Sequence, residues 1–318
     1  MRFRWIAATA AAAVVATGCG GGGDEDTGVE QRYYLSLGDS LTVGVQPDES
    51  GIPGETADGY TDVLYRDLYD ADSTLSHERM GCGGEDTTTF IAGGLPRCDE
   101  RYGGRSQLEA AEEFLTGHRG DVELVTLTIG GNNFTGCVSD LEDPEGPAVD
   151  TACVDDGLER IGTEVPEIAD RLRAAAGPET QIIAMTYYNP FLAALLLEGG
   201  DEGAEASAAP VSAEAPPAED GAQAPEDDLV AYAADVLERM NESLRATYED
   251  AGVDVADVER AFESSDFAVP ADSATGMPTN VQRICDLTWM CDVDRGPDIH
   301  TNRAGAQEIA TAFGELVD

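Results

Sequence analysis

Arg32-Tyr33-Tyr34-Leu35-Ser36-Leu37-Gly38-Asp39-Ser40-Leu41 is the stretch from which the rest of the chain is read. Aromatic and aliphatic residues over 32–37 predict a strand. That strand runs straight into Gly38-Asp39-Ser40. Gly38 permits a tight turn, and a hydroxyl after a first strand stands where parallel α/β sheets bind ligands. Alone the turn is weak evidence, because Gly, Asp and Ser are common turn residues.

Downstream, Tyr60, Val63, Leu64 and Leu68 recur at helical spacing. Residues 121–129 (DVELVTLTI) read as a buried strand and end in Gly130-Gly131-Asn132-Asn133. Leu158, Ile161, Val165, Ile168 and Leu172 form a helical stripe, expected to bend near Pro166. Further strands are predicted over 181–186 and 253–258. Leu229, Val236, Leu237, Met240, Leu244 and Tyr248 mark a long helix between them. A last helix carries Ala306, Ile309, Ala310, Phe313 and Val317. Strands alternating with helices predict a parallel sheet covered on both faces.

Three more segments carry candidate chemistry. Gly81-Cys82-Gly83-Gly84 exposes backbone N–H groups and lets a substrate approach closely. Asn132, at a strand's C-terminal end, brings a side-chain amide to the same crevice. Asp298-Ile299-His300 precedes the last helix. The chain has 3 His. His118 lies between glycines in an expected exposed turn, and His77 follows Ser76 in or near a strand, a structural place. His300 is therefore the candidate catalytic imidazole.

The composition narrows the function. The 318 residues carry 18 basic and 63 acidic side chains, for a net charge of −45, and the basic residues are all Arg. Such a surface repels nucleic acid and anionic lipid. Hydrophobic residues at 42% supply a globular core. Residues 199–228 hold nine acidic residues, nine Ala and four Pro, with no basic or aromatic residue, and read as a disordered acidic insertion. Taking its nine charges from −45 leaves −36, so the acidity belongs to the folded surface as well. No GxGxxG follows a predicted strand and no P-loop is present, so no cofactor is expected.

At the N-terminus, Arg2 and Arg4 precede an apolar, Ala-rich run and Ala16-Thr17-Gly18-Cys19. This reads as a signal peptide over 1–18. A cysteine directly after small residues resembles the bacterial lipobox, which implies lipidation of Cys19, followed by a flexible stalk over 19–31. The expected localisation is export and tethering to the outer face of the cell membrane, or secretion, with membrane contact only through the anchor. Six other Cys remain, an even number for an oxidising compartment. They allow fifteen connectivities. Closeness in sequence makes Cys82–Cys98, Cys137–Cys153 and Cys285–Cys291 the expected pairs. No pair has CxxC spacing, so no zinc or other metal is expected.

The order GDSL, glycine loop, GGNN and DxH resembles the SGNH hydrolase superfamily, also called GDSL esterases and lipases. It looks closest to the secreted actinobacterial branch with three sequential disulfides. The resemblance spans about Tyr33 to Val317, so residues 32–318 would be one hydrolase domain interrupted by the acidic run. It implies a three-layer α/β/α flavodoxin-like fold with a five-stranded parallel sheet, and a carboxylic-ester hydrolase. Carried over residue by residue, Ser40 would be the nucleophile and His300 the general base. The oxyanion hole would be the Ser40 N–H, the Gly84 N–H and the Asn132 side chain, with Gly83 as the alternative glycine. Two positions depart from the family pattern. Asn133 stands where an Asp is common. Pro297 stands where the family's acid lies, three residues before the His, which leaves Asp298, Asp294 or the Pro297 carbonyl to orient His300; Asp298 is placed in that role. The expected substrates are small-molecule or lipid esters, neutral because anions are repelled, taken by a monomer. A glycan O-deacetylase on the same site is the alternative, and an inactive lipid-anchored binding protein a second. Residues 191–197 (FLAALLL) are expected either to start a helix on the core or to line an acyl pocket.

Overall fold

The computed structural model describes residues 31–139, 148–189 and 229–317. The expected signal peptide, Cys19, the stalk through residue 30, residues 191–197 and the acidic insertion at 199–228 lie outside the described residues.

The strand expected over 32–37 is β1 (Arg32–Gly38), and it is buried from Tyr34 onward. It is flanked by β2 (Leu75–Arg79) and β3 (Val122–Thr128); β4 (Gln181–Met185) and β5 (Asp254–Ala256) complete the sheet. The order is β2-β1-β3-β4-β5, and every pairing is parallel. Continuous burial along β1, β3 and β4 is the signature of a parallel sheet covered on both faces. The helices are α1 (Tyr60–Ala71), α2 (Thr87–Ala92), α3 (Pro96–Arg101), α4 (Gln107–Gly117), α5 (Thr151–Ala176), α6 (Leu229–Asp250), α7 (Val258–Ala261), α8 (Thr279–Leu287) and α9 (Arg303–Gly314). Among them α1 packs on α9, while α4 packs on α5 and α5 on α6. The result is a three-layer α/β/α fold. β6 (Thr288–Trp289) and β7 (Asp298–Thr301) make a short antiparallel pair just before α9.

Strand order 2-1-3-4-5 reverses direction between β1 and β3. In open parallel sheets the crevice beyond the strand ends at such a switch point is where ligands bind. Ser40 follows β1 and Asn132 follows β3, so the topology alone delivers both to one crevice.

Several expectations are corrected in detail. The fifth strand is shorter than 253–258, because Val253 N–H is bonded to the Tyr248 carbonyl at 2.8 Å, Asp257 caps α7 and Val258 opens it. The fourth strand stops at Met185, and Val317 lies past the end of α9. His118 lies in a turn as expected, but the turn does not leave it exposed. It is half-buried at the C-cap of α4, its ring stacked on Phe114 at 4.2 Å and its Nδ1 2.9 Å from the Phe114 carbonyl. His77 is structural: it sits on β2, stacks on Tyr34 at 4.5 Å and meets Ser36 Oγ at 2.9 Å. Burial pushes its imidazole down to about 3, so it stays neutral.

Candidate active site

The turn after β1 is held from three directions. Gly38 adopts a left-handed φ of +124°, and a Cβ there would lie 1.9 Å from the Thr128 carbonyl of β3. Only glycine lets the two strand ends approach so closely. From α4, the Gln107 amide pairs with the Gly38 backbone in both directions: its Oε1 accepts from the N–H at 2.6 Å and its Nε2 donates to the carbonyl at 3.0 Å. Asp39 is fully buried. Its Oδ1 accepts from Leu41 N–H and Thr128 Oγ1, each at 3.0 Å, and its Oδ2 accepts from the Tyr187 hydroxyl at 2.8 Å. Burial raises the Asp39 carboxyl despite these donors. Ser40 thus leaves a turn fastened to β3, to α4 and to the segment just after β4.

The glycine loop lies alongside. A Cβ built on Gly83 would stand 3.7 Å from the Ser40 Cβ. Cys82 is bonded to Cys98 of α3, which ties the loop to that helix. Glu85 N–H closes a turn onto the Cys82 carbonyl at 3.4 Å, with Gly84 at φ +87° in its third position. A positive φ there is the glycine position of a type II turn. Among the described residues, no protein acceptor is bonded to the N–H of Ser40 or of Gly84.

After β3, Gly130 takes a φ of +117° and starts a short 3₁₀ turn over Gly131–Phe134. Asn132 Nδ2 donates one hydrogen to the Glu85 carbonyl at 2.9 Å. Its second N–H is left for the cleft. Asn133 is buried and serves as donor and acceptor together. Its Oδ1 accepts from Thr87 N–H at 3.0 Å, and its Nδ2 donates to Thr87 Oγ1 at 2.7 Å and the Gly157 carbonyl at 3.3 Å. An ionised Asp could accept but not donate, so the amide at this position joins α2 to α5 in a way a carboxylate cannot.

His300 stands on β7. Its Nδ1 lies 2.7 Å from Asp298 Oδ1, which also accepts from the His300 N–H at 2.8 Å. Two residues along a strand return to the same face, which is why an acid at 298 reaches the ring at 300. Burial works to raise the Asp298 carboxyl, but its hydrogen bonds and charge contact with His300 outweigh burial and hold it below the usual carboxylate range. Asp294 is exposed, and its N–H bonds to Asp292 instead. Tyr188, three residues past the end of β4, donates to the Ile299 carbonyl at 2.9 Å and steadies β7.

Ser40, Asn132 and His300 line one cleft with Asp39 and Tyr187. The rest of it is mostly apolar, contributed by Phe134, Val149 and Val154 and by Tyr232, Val236 and Met240 of α6. The remaining expected cysteine pairs, Cys137–Cys153 and Cys285–Cys291, are also bonded. Cys82, Cys98 and Glu85 cluster within 4.8 Å, but both sulfurs are spent on the disulfide, which removes them as metal ligands. The sequence reading missed Gln107, Tyr187 and Tyr188. No local motif marks them, and each reaches the site across the fold.

A hydroxyl, an imidazole held by a carboxylate and a side-chain amide thus line one largely apolar cleft at the switch point of a doubly wound parallel sheet. Residues 36–308 match the GDSL-like Lipase/Acylhydrolase family, and the chain belongs to it. Similar solved structures include an extracellular lipase from Streptomyces rimosus, 16% identical with a TM-score of 0.49, covering 89% of this chain and 99% of that one. A phospholipase A1 from Streptomyces albidoflavus is 15% identical, with a TM-score of 0.46 and coverage of 90% and 98%. An acetylxylan esterase from Geobacillus stearothermophilus is 15% identical, with a TM-score of 0.44 and coverage of 90% and 94%. No curated protein matches the chain.

Proposed function

We propose that the protein hydrolyses neutral acyl esters through a serine acyl-enzyme. In this reading Ser40 attacks the carbonyl carbon. His300 takes its proton and later delivers it to the leaving alcohol. Asp298 fixes the imidazole tautomer and stabilises the imidazolium. The oxyanion is received by the Ser40 and Gly84 N–H groups and the free N–H of Asn132. The observation that carries the reading is the shared cleft of Ser40, Asn132 and His300, with Asp298 at 2.7 Å on the His300 Nδ1. That bond occupies one ring nitrogen and leaves the other for the Ser40 proton.

The apolar walls favour an acyl chain over a bare acetyl group, and thus ester or lipid substrates over acetylated glycans. The net charge of −45 disfavours anionic substrates. The lipobox-like Cys19 supports an exported protein held to the membrane by acyl chains; in this reading it is a monomer of the actinobacterial lipase type.

The test is hydrolysis of p-nitrophenyl esters from acetate to palmitate. Ser40→Ala and His300→Ala are expected to abolish turnover. Asp298→Ala should lower kcat by roughly 10²- to 10⁴-fold, since in this reading the carboxylate 2.7 Å from Nδ1 holds the ring. Rates should rise from the acetyl ester toward longer chains. Full activity in Ser40→Ala would end the nucleophile assignment, and activity on acetylated glycan alone would favour the deacetylase.

A further inference from the structure

Two arginines of α3, Arg97 and Arg101, are one helical turn apart and both donate into the glycine loop. Arg101 Nη1 bonds the Gly81 carbonyl and Arg97 Nη2 bonds the Gly83 carbonyl. Their charges are used differently. Arg101 also holds both Glu55 oxygens at 2.8 Å, so its charge is neutralised on the spot. Arg97 has no acidic partner among the described residues. Arg66, Arg119, Arg173 and Arg295 are likewise in no ion pair among the described residues, but Arg97 differs from them in lying against the loop beside Ser40.

The acceptor is half of a single planar unit. The Gly83 carbonyl and the Gly84 N–H belong to the same peptide group, and in a trans peptide they point in opposite directions. In the turn closed by Glu85 N–H on the Cys82 carbonyl, this central peptide takes no part in the closing hydrogen bond. One end of it goes to Arg97, and the other end is left to donate. A Cβ added to Gly84 would run into the Arg97 guanidinium, so the side chain is seated on this peptide and not merely near it. The Cys82–Cys98 disulfide fixes the seat, because Cys98 is the residue after Arg97.

We propose that Arg97 is a positioning residue for ester hydrolysis. It polarises the Gly83–Gly84 peptide so that the Gly84 N–H donates more strongly to the tetrahedral oxyanion. The inference rests on the reading of Gly84 as an oxyanion donor. A charged donor on a carbonyl strengthens the N–H at the other end of the unit, as in any hydrogen-bonded chain. The gain appears only when negative charge develops on the substrate oxygen, so it belongs to kcat and not to ground-state binding. No covalent step is added: the guanidinium keeps its protons throughout.

The test compares Arg97→Gln, Arg97→Lys and Ser40→Ala with the wild type on one p-nitrophenyl ester. Inhibition by an alkyl boronic acid, which forms a tetrahedral anion on an activated serine, is measured on each. Arg97→Gln should lower kcat by roughly 5- to 30-fold with KM unchanged, less than the ~10²- to 10³-fold cost of losing an oxyanion donor outright. Boronate affinity should fall by the same factor as kcat/KM. Arg97→Lys, which keeps the charge, should recover most of both, and the thermal midpoint should stay at the wild-type value in each variant. Wild-type kcat in Arg97→Gln, or a loss confined to KM or to thermal stability, overturns the role of Arg97 while the loss of activity in Ser40→Ala leaves the serine mechanism standing. Wild-type turnover in Ser40→Ala, with no boronate inhibition of any form, overturns both.

Discussion

Asp39 is the residue beside the candidate nucleophile, and its carboxyl is buried under three donors: Leu41 N–H, the Thr128 hydroxyl and the Tyr187 hydroxyl. Burial still raises its proton affinity above that of an exposed carboxyl. A carboxyl with a raised folded pKa binds more protons folded than unfolded. Its contribution to stability is therefore present at low pH and is lost as pH rises from the ordinary value of 3.8 through the folded value. Asp39→Asn removes that titration. An Asn can keep Oδ1 for Leu41 and Thr128 and donate Nδ2 to the Tyr187 oxygen, so the network survives. The stability of Asp39→Asn relative to wild type should thus improve as pH rises above the ordinary carboxyl value of 3.8 and level off once the folded carboxyl has ionised, as read by urea unfolding. A relative stability that declines as pH rises would mean that the ionised carboxylate is favoured by its donors, against its burial. The places of Ser40 and Asn132 were legible in the sequence because each lies in a short run just after a strand, and His300 because the chain has only 3 His. Tyr187 and Gln107 were not, because their partners Asp39 and Gly38 lie 148 and 69 residues away and neither carries a local signal.

At the scale of elements, the site depends on strand ends packed closer than side chains allow. Gly38 ends β1 with its α-carbon against the Thr128 carbonyl of β3, at a φ that other residues rarely adopt. Gly38→Ala would meet both obstacles at once. Backbone strain of this kind costs roughly 1–3 kcal/mol and the overlap adds to it, so a loss of about 4 kcal/mol or more is expected. The measurement is the urea midpoint of Gly38→Ala; a change under about 1 kcal/mol would show that β1 and β3 part without penalty. Element reading succeeded where periodicity was strong, as in β1, β3, α5 and α6. It was weaker at β2, Leu75-Ser76-His77-Glu78-Arg79, an edge strand whose only fully buried residue is Leu75. It overran β5, since the apolar Val253 and Val258 flank the strand in a turn and a helix. Apolar identity shows that a residue is buried, and not which backbone geometry buries it.

For the whole molecule, the dominant electrostatic fact is the imbalance of 63 acidic against 18 basic side chains. Attractive contacts exist: Arg171 holds Glu112 at 2.7 Å, Arg245 bridges Asp257 and Glu259 at 2.9 Å, and Arg303 meets Asp58 at 2.8 Å. Such exposed or half-exposed pairs contribute about 0–1 kcal/mol each and are weakened by salt. Repulsion among the unpaired carboxylates is also weakened by salt, and it has the larger number of terms. The two effects oppose each other, so the sign of the salt response tells which prevails. The Debye length shrinks from about 30 Å at 0.01 M to about 8 Å at 0.15 M, so most of the response falls in that range. Neutralised repulsion favours the compact state, since self-repulsion of a highly charged chain favours the expanded one. The thermal midpoint should therefore rise by several degrees between 0.01 and 0.3 M NaCl, a range too dilute for salting-out to dominate. A midpoint that falls over the same range would place the stabilising weight on the arginine pairs, and the acidic surface would then be no electrostatic burden to the folded chain.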